Sequence, residues 1–322
     1  MYFSVIIPTH ARTNEVSELL FSLVNQHHND FEVIIADNSL DDSVQKVVEA
    51  FRDKLNLKYL YHKGLGVSAS RNWGALHASG DYVIFFDSDC VIPPDYFTAV
   101  LKYLQHNRPD AFGGPDKAGE EFSRLQKAIS YAMTSFFTTG GIRGRKKHAG
   151  QYQPRSYNMG IRKDVFDTLG GFADMDISED IDLSIRLYKS GCKVGLIEEA
   201  FVYHKRRSTW VKFFKRIYSF GGGRIHLQKK HGNALKPVHL LPSFFVIYIM
   251  AGLLSVFFSV TVFSVWLLSL VLYLVLLIID ATFQYRDLIT GLLSAYASLI
   301  MLTGYGLGML KEGLRRCVVR RK

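Results

Sequence analysis

Residues 238–310 form an almost unbroken apolar block, and no other feature restricts the chain so much. A bilayer core is about 30 Å thick, and a helix needs about 20 apolar residues to cross it. Backbone groups in that solvent must be paired internally, so crossing segments are helical. Residues 240–279 are long enough for two such helices, with a tight hairpin near Ser259 to Thr261, and residues 288–310 for a third. The first two hundred residues have the mixed composition of a soluble α/β protein. The expectation is therefore a water-soluble domain joined to a membrane region.

The charge distribution fits that division. The chain carries a net charge of +10, yet no Asp or Glu occurs between Ala200 and Ile279, or between Phe122 and Lys163. Basic surface beside apolar spans points to an anionic membrane face and away from nucleic acid. The tail carries Lys311, Arg315, Arg316, Arg320, Arg321 and Lys322. Three full crossings would put it opposite the first domain, whereas the positive-inside rule favours two spans plus a re-entrant segment. Both arrangements stay open, with the lean towards a cytoplasmic tail. The start, Met1-Tyr2-Phe3-Ser4-Val5, lacks the basic and apolar regions of a signal peptide. The soluble domain is thus expected in the cytoplasm, on a multi-pass protein of the cytoplasmic (inner) membrane. Cys90, Cys192 and Cys317 are odd in number and far apart, so neither a disulfide framework nor a Cys-based zinc site is implied.

Strands and helices alternate along the first ninety residues. Strands are expected at Phe3 to Pro8, Glu32 to Ala36, Leu57 to Tyr61 and Tyr82 to Phe86, with helices at Asn14 to Gln26 (Thr13 as cap), Ser43 to Arg52 and Val67 to Ala78. Such alternation means βαβ units and a mostly parallel, Rossmann-like sheet. Later come a helix over Tyr96 to Gln105, strands at Asp110 to Gly114 and Phe201 to His204, and a helix capped by Ser178. From Trp210, residues Trp210, Phe213, Phe214, Ile217 and Tyr218 share one helical face while Lys212, Lys215 and Arg216 share the other. That is the pattern of an amphipathic helix in the membrane interface, or of a helix packed on the domain. Gly221-Gly222-Gly223 is read as its end. The expected boundaries are 1–207 for the α/β domain, 208–236 for the amphipathic helix and linker, 237–311 for the membrane region and 312–322 for the basic tail.

The chemistry centres on Gly80 to Cys90. Asp87 and Asp89 stand two apart where a buried strand ends, the edge at which open α/β sheets bind ligands. Two carboxylates so placed can hold a hard divalent cation, and the cation a diphosphate, though Asp also suits a plain turn. No Gly-x-Gly-x-x-Gly follows the first strand, where Pro8-Thr9-His10-Ala11-Arg12 stands instead, and there is no Walker A motif. His204, at a strand end, is a candidate metal ligand or a structural residue. Glu179, Asp180 and Asp182 fall in one first helical turn. They suit the helix dipole, Asp182 can pair with Arg186, and a carboxylate there can also act as a general base. Arg143, Arg145, Lys146 and Lys147 lie in a glycine-rich stretch that reads as a solvated loop, or as a lid touching phosphate or anionic lipid.

With these motifs in order, the chain resembles the membrane-anchored family 2 glycosyltransferases of the GT-A fold, which include bacterial exopolysaccharide and cell-envelope sugar transferases. Ser4 to Thr9 resembles the family's opening strand and Ala36-Asp37-Asn38-Ser39 its nucleotide-binding turn. Gly66 to Asn72 and Asp87-Ser88-Asp89 resemble the metal motif and the segment before it. Asn158-Met159-Gly160 and Gly170-Gly171-Phe172 resemble the acceptor-side stretch, and Glu179-Asp180 the acidic pair that holds the base. The match departs at His10-Ala11, at Ala36, and in lacking the Gln-x-x-Arg-Trp motif of processive synthases.

The resemblance implies a nucleotide-sugar donor held by Pro8, Thr9, Arg12, Asp37, Arg71 and Asp87. It implies Mg2+ or Mn2+ on Asp89, Asp87 and His204, and Asp180 with Glu179 as the catalytic pair. It further implies inverting transfer to a lipid-linked glycan acceptor, with membrane lipids as further partners. Rival readings are a nucleotidyltransferase, for which the turn after the first strand lacks a triphosphate loop, and a catalytically silent nucleotide-binding membrane partner, against which the retained acids argue.

Overall fold

The computed structural model describes residues 1–117, 122–139, 151–175, 177–204 and 209–319. The loop cations Arg143, Arg145, Lys146 and Lys147 fall outside them. The first elements are β1 (Phe3–Thr9), α1 (Thr13–Val24), β2 (Phe31–Asp37), α2 (Ser43–Glu49), β3 (Leu57–Tyr61), α3 (Val67–Leu76) and β4 (Tyr82–Phe86). Then follow β5 (Cys90–Val91), α4 (Tyr96–Asn107), β6 (Ala111–Gly113), β7 (Asp116–Lys117), α5 (Arg124–Thr134) and α6 (Phe136–Thr139). The next group is β8 (Asn158–Arg162), α7 (Lys163–Thr168), α8 (Glu179–Lys189), β9 (Val194–Leu196) and β10 (Val202–His204). The chain continues through α9 (Trp210–His231), a 3-10 turn (Pro237–Leu240), α10 (Leu241–Ser255), α11 (Val260–Tyr285) and α12 (Leu288–Val319).

The contacts divide the chain into two units, Met1–Gly119 with Gly150–Lys205, and Glu120–Ala149 with Arg206–Lys322. The described residues 122–139, expected within the α/β domain, thus group with the C-terminal part.

The first unit is built on a seven-stranded sheet in the order β3-β2-β1-β4-β8-β6-β9. β1, β2, β3 and β4 run parallel, and β8 runs antiparallel to both its neighbours. β1, β2 and β4 are buried on both faces, which is why they read as largely apolar runs. Val5, Ile7, Val33, Ile35, Ile84 and Phe86 pack with Leu19 and Leu20 of α1, Val44 of α2 and Phe97 of α4. Their alternate neighbours Ile6, Ile34, Val83 and Phe85 pack on the other side with Ala75, Phe166, Leu183 and Leu187. β8 is able to cross at the middle because Gly160 has no side chain: a Cβ there would lie 2.1 Å from the Phe112 ring. A second sheet, β5-β10-β7, is made of strands of two or three residues.

Two expected caps are corrected. α1 has Arg12 at its cap position with no side-chain cap hydrogen bond, and Thr13 is already helical. Ser178 precedes α8 but takes a left-handed φ of 69° and caps nothing, because the chain turns sharply there to enter the helix. The Asp182–Arg186 pair forms as expected, at 2.9 Å. Arg186 also donates to the carbonyls of Leu169 and Gly171, tying the Gly170-Gly171 turn to α8.

In the second unit, α5 opens on a capping box between Ser123 and Gln126. α9 does not stop at Gly221-Gly222-Gly223 but runs through to His231. Gly221 and Gly308 let two backbones meet. A Cβ on Gly221 would fall 2.1 Å from the Tyr305 carbonyl oxygen, and one on Gly308 would fall 2.0 Å from that of Tyr218. Small residues allow such close helix crossings. Phe213 and Ile217, on the apolar face of α9, are buried with Ala128, Ile129 and Ala132 of α5 and Ala297, Met301 and Leu302 of α12. Among the described residues, three helices are long and apolar enough to cross a membrane: Pro237–Ser255, Val260–Tyr285 and Leu288–Arg315. Ser259 caps the second of them, where the hairpin was expected. Asp280, an acid within that second helix, accepts a 2.6 Å hydrogen bond from the Tyr131 hydroxyl.

Candidate active site

The carboxyl edge of the sheet gathers the expected residues because the strands are in register there. Pro8 lies opposite Ala36, and Thr9 opposite Asp37. Asp37 is buried, and it is held rather than free. Its Oδ1 accepts from the Ser39 amide at 2.9 Å and the Ser39 hydroxyl at 2.5 Å, and its Oδ2 from the Tyr59 hydroxyl at 2.7 Å. Burial, and the bond to this carboxylate, hold the Tyr59 phenol well above its usual range. The Ala11 amide donates to the Ser39 hydroxyl, and His10 Nδ1 lies 2.9 Å from Asn38 Oδ1, so the first turn is pinned to the second. Ala11 adopts a φ of 49° to do this. The hydroxyl of Thr9 is buried here without a hydrogen-bond partner.

Asp89 sits between Arg12 and His204. Arg12 donates to its Oδ2 at 2.8 Å, and His204 Nε2 lies 3.1 Å from its Oδ1. Burial would raise this carboxyl, but His204 and Arg12 hold it well below the usual carboxylate range. His204 reaches Asp89 because β10 pairs antiparallel with β5, setting His204 opposite Cys90. The Tyr157 ring lies 4.7 Å from the His204 ring and supports it. Asp89 Oδ1 and His204 Nδ1 are buried without hydrogen bonds. A buried oxygen and imidazole so placed fit a divalent cation that accepts oxygen and nitrogen donors. Among the described residues the donor atoms that converge, all within 4.8 Å, are those of Asp89, Cys90 and His204. Asp87, expected as a second ligand, lies instead with Arg71.

Arg71 lies among carboxylates. It was expected to help hold the nucleotide-sugar donor; its side chain is only 3% exposed and its guanidinium is taken up on two sides. Nη2 donates to Asp87 Oδ1 at 2.6 Å, and Nη1 to Glu179 Oε1 at 3.0 Å. Its face lies on the Phe172 ring, 5.4 Å from the centroid. Arg71 is therefore a buried strut between the end of β4 and the start of α8. The neighbouring Asn72 completes the joint, pairing both its amide atoms with the backbone of Phe172 at 2.8 Å. Glu179 is buried behind the strut. Burial, then the Asp180 charge, raise its carboxyl above the usual range, and Arg71 only partly opposes them.

Asp180 is differently placed. Its Oδ1 accepts from the Ile181 amide at 2.7 Å, and its Oδ2 lies 3.7 Å from Arg155, a loose ion pair. Arg155, Tyr59 and Tyr157 were not singled out from sequence. Each stands alone in its stretch, without a motif around it, and acquires a role only from what the fold sets beside it. The resemblance segments do meet: Arg71-Asn72 touches Phe172, and Asn158 is buried with hydrogen bonds to the Tyr96 hydroxyl and the Ala200 carbonyl.

The family model "Glycosyl transferase family 2" matches residues 4–170. A probable glycosyltransferase, YdaM, of Bacillus subtilis is 23% identical over 70% of this chain and 56% of its own length. The poly(ribitol-phosphate) beta-N-acetylglucosaminyltransferase TarS of Staphylococcus aureus is 34% identical over 34% of this chain and 20% of its own length. The chain thus spans little more than half of the one relative and a fifth of the other. Among solved structures, a mannosyltransferase from Pyrobaculum calidifontis, in complex with GDP-Man and Mn2+, is similar with a TM-score of 0.70 at 15% identity. The likeness covers 98% of this chain and 87% of that one, and it concerns the fold.

Proposed function

Because the chain belongs to glycosyl transferase family 2, we propose that it moves a sugar from a nucleotide-diphosphate sugar to a hydroxyl of a lipid-linked glycan acceptor, at the cytoplasmic face of the membrane. The observation that carries this reading is one connected line of side chains. The Asp89–His204 pair stands one residue from Asp87. Asp87 is joined through Arg71 to Glu179, and Asp180 follows Glu179 at the head of α8. A donor site and a candidate base are thereby held at a set separation by buried ion pairs.

Asp89 and His204 are the residues that would hold Mg2+ or Mn2+. Such a cation supplies Lewis-acid stabilisation of the charge that grows on a leaving diphosphate, worth several kcal/mol. Asp37 has both oxygens turned to Ser39 and Tyr59, so it shapes the nucleotide pocket and has little freedom to swing. Thr9, whose buried hydroxyl has no partner, is the better placed to bond the nucleotide. Arg12, already at Asp89, can donate to a phosphate from the same position. Asp180 takes the proton of the acceptor hydroxyl as its oxygen attacks the anomeric carbon, opposite the leaving group. One displacement inverts that centre. Glu179 acts through Arg71 and not on the substrate. The three apolar helices keep the chain where a lipid-linked acceptor is presented.

The test is thermal stabilisation of the detergent-purified protein by UDP, GDP, CDP and dTDP, with and without Mn2+, followed by sugar transfer from the matching donors to lipid extracts. Stabilisation by one nucleotide only when Mn2+ is present, and transfer that Asp180→Asn abolishes, are expected. Nucleotide binding without transfer from any donor would overturn the reading in favour of a silent binding module.

A further inference from the structure

Cys90 directly follows Asp89 of the metal motif. Cys90 is directly opposite His204 in the β5–β10 pair, so both side chains project from the same face of that ribbon. The thiol sulfur, an oxygen of Asp89 and a ring nitrogen of His204 all lie within 4.8 Å of one another. Asp89 Oδ1 and His204 Nε2 are 3.1 Å apart, yet Oδ1 has no hydrogen bond. Two donors bound at about 2.0–2.2 Å to one ion stand roughly 3.0–3.5 Å from each other, so this pair is already spaced as ligands are. Cys90 is buried, and its thiol makes a long 3.6 Å contact to the Tyr157 carbonyl oxygen, which leaves sulfur lone pairs unused.

We infer that Cys90 is a third donor to this site, and that the site takes a thiolate-accepting metal of the Zn2+ or Co2+ class in competition with Mg2+ or Mn2+. This rests on the metal reading of Asp89 and His204 given above. A hard cation is satisfied by the carboxylate, the imidazole and the diphosphate, and leaves the thiol untouched. A softer cation recruits the sulfur. On binding, the S–H bond is replaced by an S–metal bond, and one proton is released to the buffer. The change of donors gives the site a preference that a Mg2+ site lacks: traces of Zn2+ would displace the working cation and stop transfer.

The test is optical and needs no turnover. Full-length protein carrying Cys192→Ala and Cys317→Ala keeps Cys90 as its sole cysteine, and is titrated with Co2+ alone. The expected result is an intense near-ultraviolet thiolate-to-cobalt band together with visible d–d bands, with the near-ultraviolet band lost in Cys90→Ser. Visible bands without the thiolate band in the Cys90 protein would overturn the role of Cys90 and leave the Asp89–His204 reading standing. Absence of both would remove both. The deciding spectrum is that of the protein with Cys90 intact, so a folding defect in Cys90→Ser does not blunt the test.

Discussion

Replacing Arg71 by Met keeps the side-chain volume near that of the strut and removes its charge. Arg71 is almost fully buried, with Glu179 8% exposed on one side and Asp87 29% exposed on the other. Breaking a buried pair by taking away one partner costs about 3–5 kcal/mol, because the remaining charge is stranded. Asp87 is open enough to recover water, so most of the cost falls on Glu179, and the lower end, about 3 kcal/mol near neutral pH, is expected. For a domain of this size that is roughly 6–12 °C in melting temperature. The pH dependence fixes the cause. Glu179 already has its carboxyl raised by burial and by Asp180, and Arg71 is what opposes them. Without Arg71 the folded carboxyl rises further above its unfolded value. The folded state then binds a proton that the unfolded state does not, so stability falls as pH rises past the unfolded value. The deficit of Arg71→Met should therefore be large at pH 7.5 and shrink towards pH 5. Glu179→Gln in the same protein should restore most of it. Thermal unfolding in detergent at both pH values reads this directly. A deficit under about 1 kcal/mol at pH 7.5, or one that grows on acidification, would refute the strut.

Asp180→Asn should abolish transfer while leaving nucleotide-dependent stabilisation within error, measured on the same preparation. Glu32 sits under the opposite end of the sheet, where burial would raise its carboxyl but Lys58, Ser4 and Ser79 hold it down to about 2. Its stabilisation is fully present above the unfolded value of 4.5 and is lost as pH falls through about 2. Glu32→Gln should accordingly cost about 2–3 kcal/mol at pH 7, with the gap to the parent narrowing below pH 4.5 in acid unfolding. Gly221→Ala should disturb α9 against α12, since its Cβ meets backbone at 2.1 Å. A loss of about 1–3 kcal/mol is expected, and an unchanged melting temperature would contradict the close crossing.

Much of this protein is decided by its sequence alone, for a local reason. Burial on both faces writes β1, β2 and β4 as apolar runs, and the helices between them carry 3.6-residue periodicity, so each is legible from its own residues. The same holds for the membrane helices, whose solvent demands a long apolar stretch. Asp87, Asp89 and Asp180 stand out as candidates because their motifs are short and contiguous, whereas His204 is a lone histidine at a strand end. Other features belong to pairs of residues far apart in the chain. β5, β7 and β10 are two or three residues long and exist as strands only by pairing with each other. Gly221-Gly222-Gly223 looks like a helix end until α12 supplies the backbone it must accommodate. Arg71 looks like a residue of the donor site alone until Glu179, 108 residues away, closes on its other side. Burial then decides the matter, since a guanidinium removed from water has to be satisfied by carboxylates within reach, and only the folded chain determines which ones those are.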